Sequence, residues 1–171
     1  MRRVRNIFIL IFCLMFIGLL SGCSAETTTP KKSTNSGDGA EKQVEKFKVG
    51  ERVEMGELVI TVNNIKDSVG GEFLKPAEGN IYKIADCTIE NLSDKSESLS
   101  SMLMFKMADS EGYNYTITIT EDSKTGLDGE LGPGRKMRGE VAFEVPSTAA
   151  GLELIFEPNF LGFGQAIFEL E

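Results

Sequence analysis

The sequence predicts an all-β domain, a two-sheet antiparallel sandwich of about seven or eight strands, behind a signal peptide and a disordered tether. Three observations carry the prediction. From Phe47 onward the apolar residues recur with a period of two rather than 3.6. Clusters of Gly, Pro, Asn and Asp fall between those runs. No long amphipathic helical stripe interrupts them.

The N-terminus comes first. Arg2, Arg3 and Arg5 precede Ile7 to Leu20, fourteen residues without a charge. At ~1.5 Å per residue a helix of that length spans about 21 Å, short of the ~30 Å hydrocarbon core. Residues 1–22 therefore read as a signal peptide rather than a membrane span. Leu20-Ser21-Gly22-Cys23 resembles the lipobox of bacterial lipoproteins. That resemblance implies cleavage between Gly22 and Cys23 and a diacylglyceryl group on the Cys23 thiol, and two acyl chains suffice for stable anchoring. The expected location is the outer face of a cell membrane, in a Gram-positive bacterium. Cys13 leaves with the signal peptide and Cys23 is consumed by lipid, so Cys87 is left alone and no intramolecular disulfide is expected in the mature protein. Cys87 alternates with Ala85 and Ile89 and reads as a small buried hydrophobe.

Residues 23–46 form the lipidated N-terminus and its tether. Between Ser24 and Lys46 the composition is Ser, Thr, Lys, Glu, Gly and Pro, with Val44 the single larger aliphatic residue. Such a segment cannot bury enough surface to offset its ordering entropy. As a flexible coil it reaches roughly 25 to 30 Å. Its charges balance, whereas residues 47–171 hold 11 basic and 22 acidic side chains, a net of −11. A body so acidic repels phosphate backbones, which excludes nucleic acid as a partner. The acidity reads first as solubility and second as recognition of a cationic ligand.

Within the domain the strands follow in order. Leu58, Ile60 and Val62 alternate with Val59 and Thr61; Ala85, Cys87 and Ile89 alternate within Tyr82 to Asn91. The pattern repeats in Leu103, Phe105 and Met107, in Tyr115, Ile117 and Ile119, in Val141, Phe143 and Val145, and in Leu152, Leu154 and Phe156. Gln165 to Leu170 reads as the last strand. One face of each strand belongs to a core. Turns are expected at Asn63-Asn64, Gly70-Gly71, Asn91 to Asp94, Asp109 to Gly112, Gly132-Pro133-Gly134 and Pro146-Ser147.

Tyr82 to Asn91, Asp109 to Gly112, Leu131 to Gly134, Gly139 to Pro146 and Leu152 to Pro158, in that order behind a lipobox, resemble the telokin-like lipoprotein domains of unknown function, which are grouped with secreted immunoprotective proteins. The resemblance covers roughly Lys48 to Leu170. It implies an immunoglobulin-like sandwich on an exported protein and supplies no catalytic residue.

The chain has no His and no Trp. Ser-His-Asp and Cys-His catalysis and imidazole zinc sites are thereby excluded. Lys124-Thr125-Gly126 matches one box of the serine β-lactamase group, yet no Ser precedes a Lys by three residues, so it reads as a loop. Glu121, Asp122, Asp128 and Glu130 crowd a Gly-containing loop and form a candidate calcium site, though their spacing does not match the EF-hand loop. Otherwise no metal or cofactor is expected. Phe160, Leu161 and Phe163 follow Pro158 and are either a contact tip or a plug at one end of the sandwich. The expected function is non-catalytic: an anchored binding module for a protein or envelope polymer. The alternatives are an envelope stress or immunity lipoprotein and a carboxylate-dependent hydrolase.

Overall fold

Alternation along each strand decides which side stays dry. A computed structural model describes residues 45–158 and 164–170. Gly22 and Cys23 of the lipobox, the tether up to residue 44, and Phe160, Leu161 and Phe163 lie outside the described residues. The chain runs through β1 (Lys46–Lys48), β2 (Arg52–Met55), β3 (Leu58–Ser68), β4 (Asn80–Asn91), β5 (Glu97–Leu99), a one-turn helix α1 (Ser101–Met104), β6 (Phe105–Ala108), β7 (Asn114–Tyr115), β8 (Ile117–Thr118), β9 (Gly129–Leu131), β10 (Lys136–Pro146), β11 (Glu153–Phe156) and β12 (Ala166–Glu169).

Two five-stranded sheets, ordered β1-β12-β11-β6-β7 and β2-β3-β4-β10-β8, make a sandwich, and β5 pairs with β9 beside them. The expected all-β sandwich is the observed fold class, but the described residues hold twelve strands rather than seven or eight, because several are pieces of only two to four residues. Ala85, Cys87 and Ile89 of β4 share one core with Val141, Phe143 and Val145 of β10 and, from the other sheet, with Met107, Leu154, Phe156 and Phe168. Each large side chain taken fully out of water contributes about 1.5–3 kcal/mol, and that burial is the main source of stability in a domain without disulfides. β4 and β10 stay in register from Asn80↔Pro146 to Glu90↔Lys136. Their outward residues meet as charge pairs, with Arg138 on Asp86 at 2.5 Å and Lys136 on Glu90 at 3.3 Å.

Three local expectations are corrected. Asn63-Asn64 does not turn the chain: it lies inside the eleven-residue β3, where the register with β4 shifts between Val62 and Asn64. Such a bulge absorbs one extra residue while the strand continues. The Asn63 amide donates across the pair to Asp86 Oδ1 (3.1 Å) and Thr88 Oγ1 (2.9 Å), so its polar side chain is satisfied without a turn. Leu103 is not a strand residue but sits on α1, 63% exposed. Tyr115, Ile117 and Ile119 do not form one strand either. Tyr115 pairs with β6 in one sheet and Ile117 with β10 in the other, so the chain changes sheets at Thr116 and leaves Ile119 exposed. β1 lies parallel to β12, an exception in an otherwise antiparallel fold, with Phe47 opposite Phe168 and their rings 5.9 Å apart.

Candidate functional site

The hairpin joining β2 to β3 turns through Gly56 and Glu57, since Met55 already pairs with Leu58. Tight two-residue hairpins need positive φ at their first central position, and Gly56 supplies it at +65°. Across from this hairpin stands α1. No side chain of its own N-cap satisfies its first turn. Asp128 does so from a distance, accepting from the Ser101 amide and the Ser101 hydroxyl, each at 2.8 Å. At the other end the Glu157 amide donates to the Met104 carbonyl at 2.8 Å, which ties α1 to the exit of β11.

Between hairpin and helix lies a groove of about 830 Å³. That is within the ~300–1,000 Å³ typical of ligand sites. Met55, Leu58, Leu103 and Met104 give it apolar surface, and Glu54, Glu57, Glu97 and Glu157 give it charge. Among the described residues no Lys or Arg lines it. Arg52 reaches Glu54 at 2.5 Å and Lys106 reaches Glu157 at 3.1 Å. Glu57 and Glu97 form no ion pair among the described residues. A concave wall carrying one sign of charge beside apolar surface focuses negative potential into the groove. Pro158 and Gly164 border it; Phe160, Leu161 and Phe163, read from the sequence as either a contact tip or a plug, lie outside the described residues.

The four acids of the candidate calcium loop are engaged separately. The Glu121 carboxylate accepts from the Phe73 amide at 3.2 and 3.3 Å. Asp122 accepts from the Ser68 hydroxyl, and its carbonyl accepts from Lys66 Nζ at 3.0 Å. Asp128 caps α1, and Glu130 is exposed on β9. Among the described residues no three Asp, Glu, His or Cys side chains converge on a point that could hold a metal. The loop is fastened by Leu127, wholly buried in the common core. A lone Leu between Gly126 and Asp128 was the available sequence signal for that anchor. Thr125 accepts from the Glu140 amide at 2.8 Å, so the Lys124-Thr125-Gly126 segment lies along the edge of β10.

Cys87 is fully buried, and that burial, with Asp86 alongside, pushes its thiol well above the usual range. Asp86 is held below the ordinary carboxylate range, chiefly by the Arg138 guanidinium. Asp109 is lowered chiefly by the Tyr115 hydroxyl, which donates to it at 2.7 Å. Glu144 is lowered by donation from the Asn80 amide and the Ala77 backbone. No described helix is long and apolar enough to cross a membrane.

The groove residues come from 54–58, from between 97 and 104, from 157–158 and from Gly164, so no local motif marks them.

Residues 47–167 match the family model described as a domain of unknown function, DUF4352, and the chain belongs to that family. The uncharacterized protein YxkC of Bacillus subtilis is 28% identical over 116 residues, which are 60% of this chain and 64% of YxkC. The chain thus spans less than two thirds of that relative's length. Among solved structures, a Clostridium difficile β-sandwich protein superposes with a TM-score of 0.55 at 20% identity, covering 84% of this chain and all of that one. The Bacillus subtilis protein ycdA, described as a candidate lipoprotein, gives 0.59 at 13% identity over 70% of this chain and 38% of its own. The secreted Mycobacterium tuberculosis protein MPT63 gives 0.55 at 18% identity, over 76% of this chain and all of its own. At these identities the likeness is one of fold.

Proposed function

We propose that this member of the DUF4352 family is a lipid-anchored protein on the outer face of the cell membrane whose sandwich binds a partner without transforming it. The observation that carries the reading is the groove between the β2–β3 hairpin and α1, with apolar surface and four glutamates on its walls. The lipobox Leu20 to Cys23 supports the anchor, and structural neighbours described as secreted or as a candidate lipoprotein agree with an extracytoplasmic site. Within the family, the strand and turn signatures favour the telokin-like, immunoglobulin-like kind of sandwich.

Two features argue against a hydrolase. The buried polar side chains among the described residues are Asn91, Ser93, Ser101 and Thr120, and none of them is a carboxylate. The ordinary nucleophile candidate, Cys87, is sealed in the core with no His in the chain to activate it.

The test has two parts. Metabolic labelling with an alkyne palmitate should mark the protein, and Cys23→Ala should abolish the mark. Crosslinking in intact cells should capture a reproducible envelope partner. A protein that expresses well yet takes no label loses the anchor, and capture of nothing above background removes the binding role.

A further inference from the structure

The groove sorts ligands by two properties at once. Its walls combine Met55, Leu58, Leu103 and Met104 with Glu54, Glu57, Glu97 and Glu157. Leu103 is 63% exposed, a cost in water that a ligand's apolar side chain would relieve. Methionines adapt their shape to such side chains because they are unbranched and polarizable. Glu57 and Glu97 lack ion-pair partners among the described residues, and no basic side chain lines the groove, so an arriving cation displaces no internal partner there. An anionic ligand is repelled by the uncompensated Glu57 and Glu97 and by a domain carrying 22 acids against 11 bases. A neutral apolar ligand would desolvate the glutamates without compensation.

From this we infer that the partner is a protein segment of basic, amphipathic character, in which Lys or Arg alternates with apolar side chains. The apolar side chains lie against Leu103 and the two methionines, and the cations pair with Glu57 and Glu97. The inference rests on the binding reading above and narrows it to one chemistry.

The test uses the full-length protein in a neutral detergent and fluorescence anisotropy with a short labelled peptide of alternating Lys and Leu. Two further peptides, oligolysine and alternating Glu and Leu, serve as comparisons. The Lys-Leu peptide should bind saturably and the Glu-Leu peptide should not. Glu57→Gln with Glu97→Gln should weaken binding at least about tenfold and flatten its salt dependence, because the two carboxylates are replaced by isosteric amides. Leu103→Ser should weaken it about fivefold. Glu78→Gln with Glu111→Gln, in the loops at the opposite end of the sandwich, should leave it unchanged.

Equal weakening by the two glutamine pairs would overturn the inference in favour of general acidity. Oligolysine binding as tightly as Lys-Leu and indifferent to Leu103→Ser would overturn it in favour of a bare polycation. A photoreactive residue at position 103 distinguishes this failure from that of the parent reading. Crosslinking in cells to an acidic or neutral segment sinks the basic partner and leaves the binding role standing. Absence of both crosslink and peptide binding removes both.

Discussion

Single residues in this fold are governed by what surrounds them. Cys87 has the sequence position of an ordinary strand hydrophobe, and burial keeps its thiol protonated. Iodoacetamide should therefore leave Cys87 unmodified in native buffer and label it fully in denaturant, read by mass spectrometry of its peptide; rapid native labelling would contradict the packing. Asp109 organises its turn by accepting from the amides of Glu111 (3.0 Å) and Tyr113 (2.9 Å) and from the Tyr115 hydroxyl. Its pKa in the folded state lies below the unfolded value near ~3.9, so the unfolded chain binds more protons over that interval. Its contribution is present above that pH and is lost as pH falls through the lower, folded value. Tyr115 mirrors it. Its hydroxyl is pushed up to about 12, first by the hydrogen bond to Asp109, so its contribution is present below the unfolded value near ~10 and fades as pH rises through about 12. Urea midpoints measured against pH should show a shallower acid limb in Asp109→Asn and a shallower alkaline limb in Tyr115→Phe.

Elements show where local pattern loses to tertiary demand. The core faces of β4, β10 and β11 were legible in the sequence, because a period of two with aliphatic residues on one side leaves little choice. The bulge in β3 was not, since Asn63-Asn64 carries the same local preference in a turn as in a bulge satisfied from the neighbouring strand. The sheet switch at Thr116 was hidden for a related reason: Tyr115 and Ile117 keep the alternation even as the chain changes partners. Two substitutions test the covering loop. A Cβ at Gly139 would stand 2.5 Å from the Thr125 carbonyl oxygen and 2.6 Å from that of Gly126. Backbone cannot step aside as a flexible side chain does, so Gly139→Ala should destabilise by about 1–3 kcal/mol. Leu127→Ala, which empties the loop's anchor in the core, should cost about 2–5 kcal/mol. Denaturant unfolding measures both; a near-neutral Leu127→Ala would mean that the loop does not rely on this side chain.

On the scale of the whole molecule, the sandwich was readable and its groove was not. The acidity of the domain can be counted along the chain, but the convergence of Glu57 from a hairpin, Glu97 from β5 and Glu157 from the end of β11 depends on topology. The Asp128 carboxylate is a similar case: it lies in an acidic loop by sequence and caps a helix that begins at Ser101 in space. The parallel placement of β1 also has a mechanical side. Lys46, Phe47 and Lys48 join the fold at the border of a sheet through three register pairs with β12 and the Phe47–Phe168 contact. A pull on the leading end of the chain is borne by that short strand first, while the long β3–β4–β10 ladder remains unloaded. Single-molecule stretching from the N-terminal side should record a small early extension as β1 peels away, followed by a larger rupture of the sandwich, and Phe47→Ala should lower the force of the first event alone.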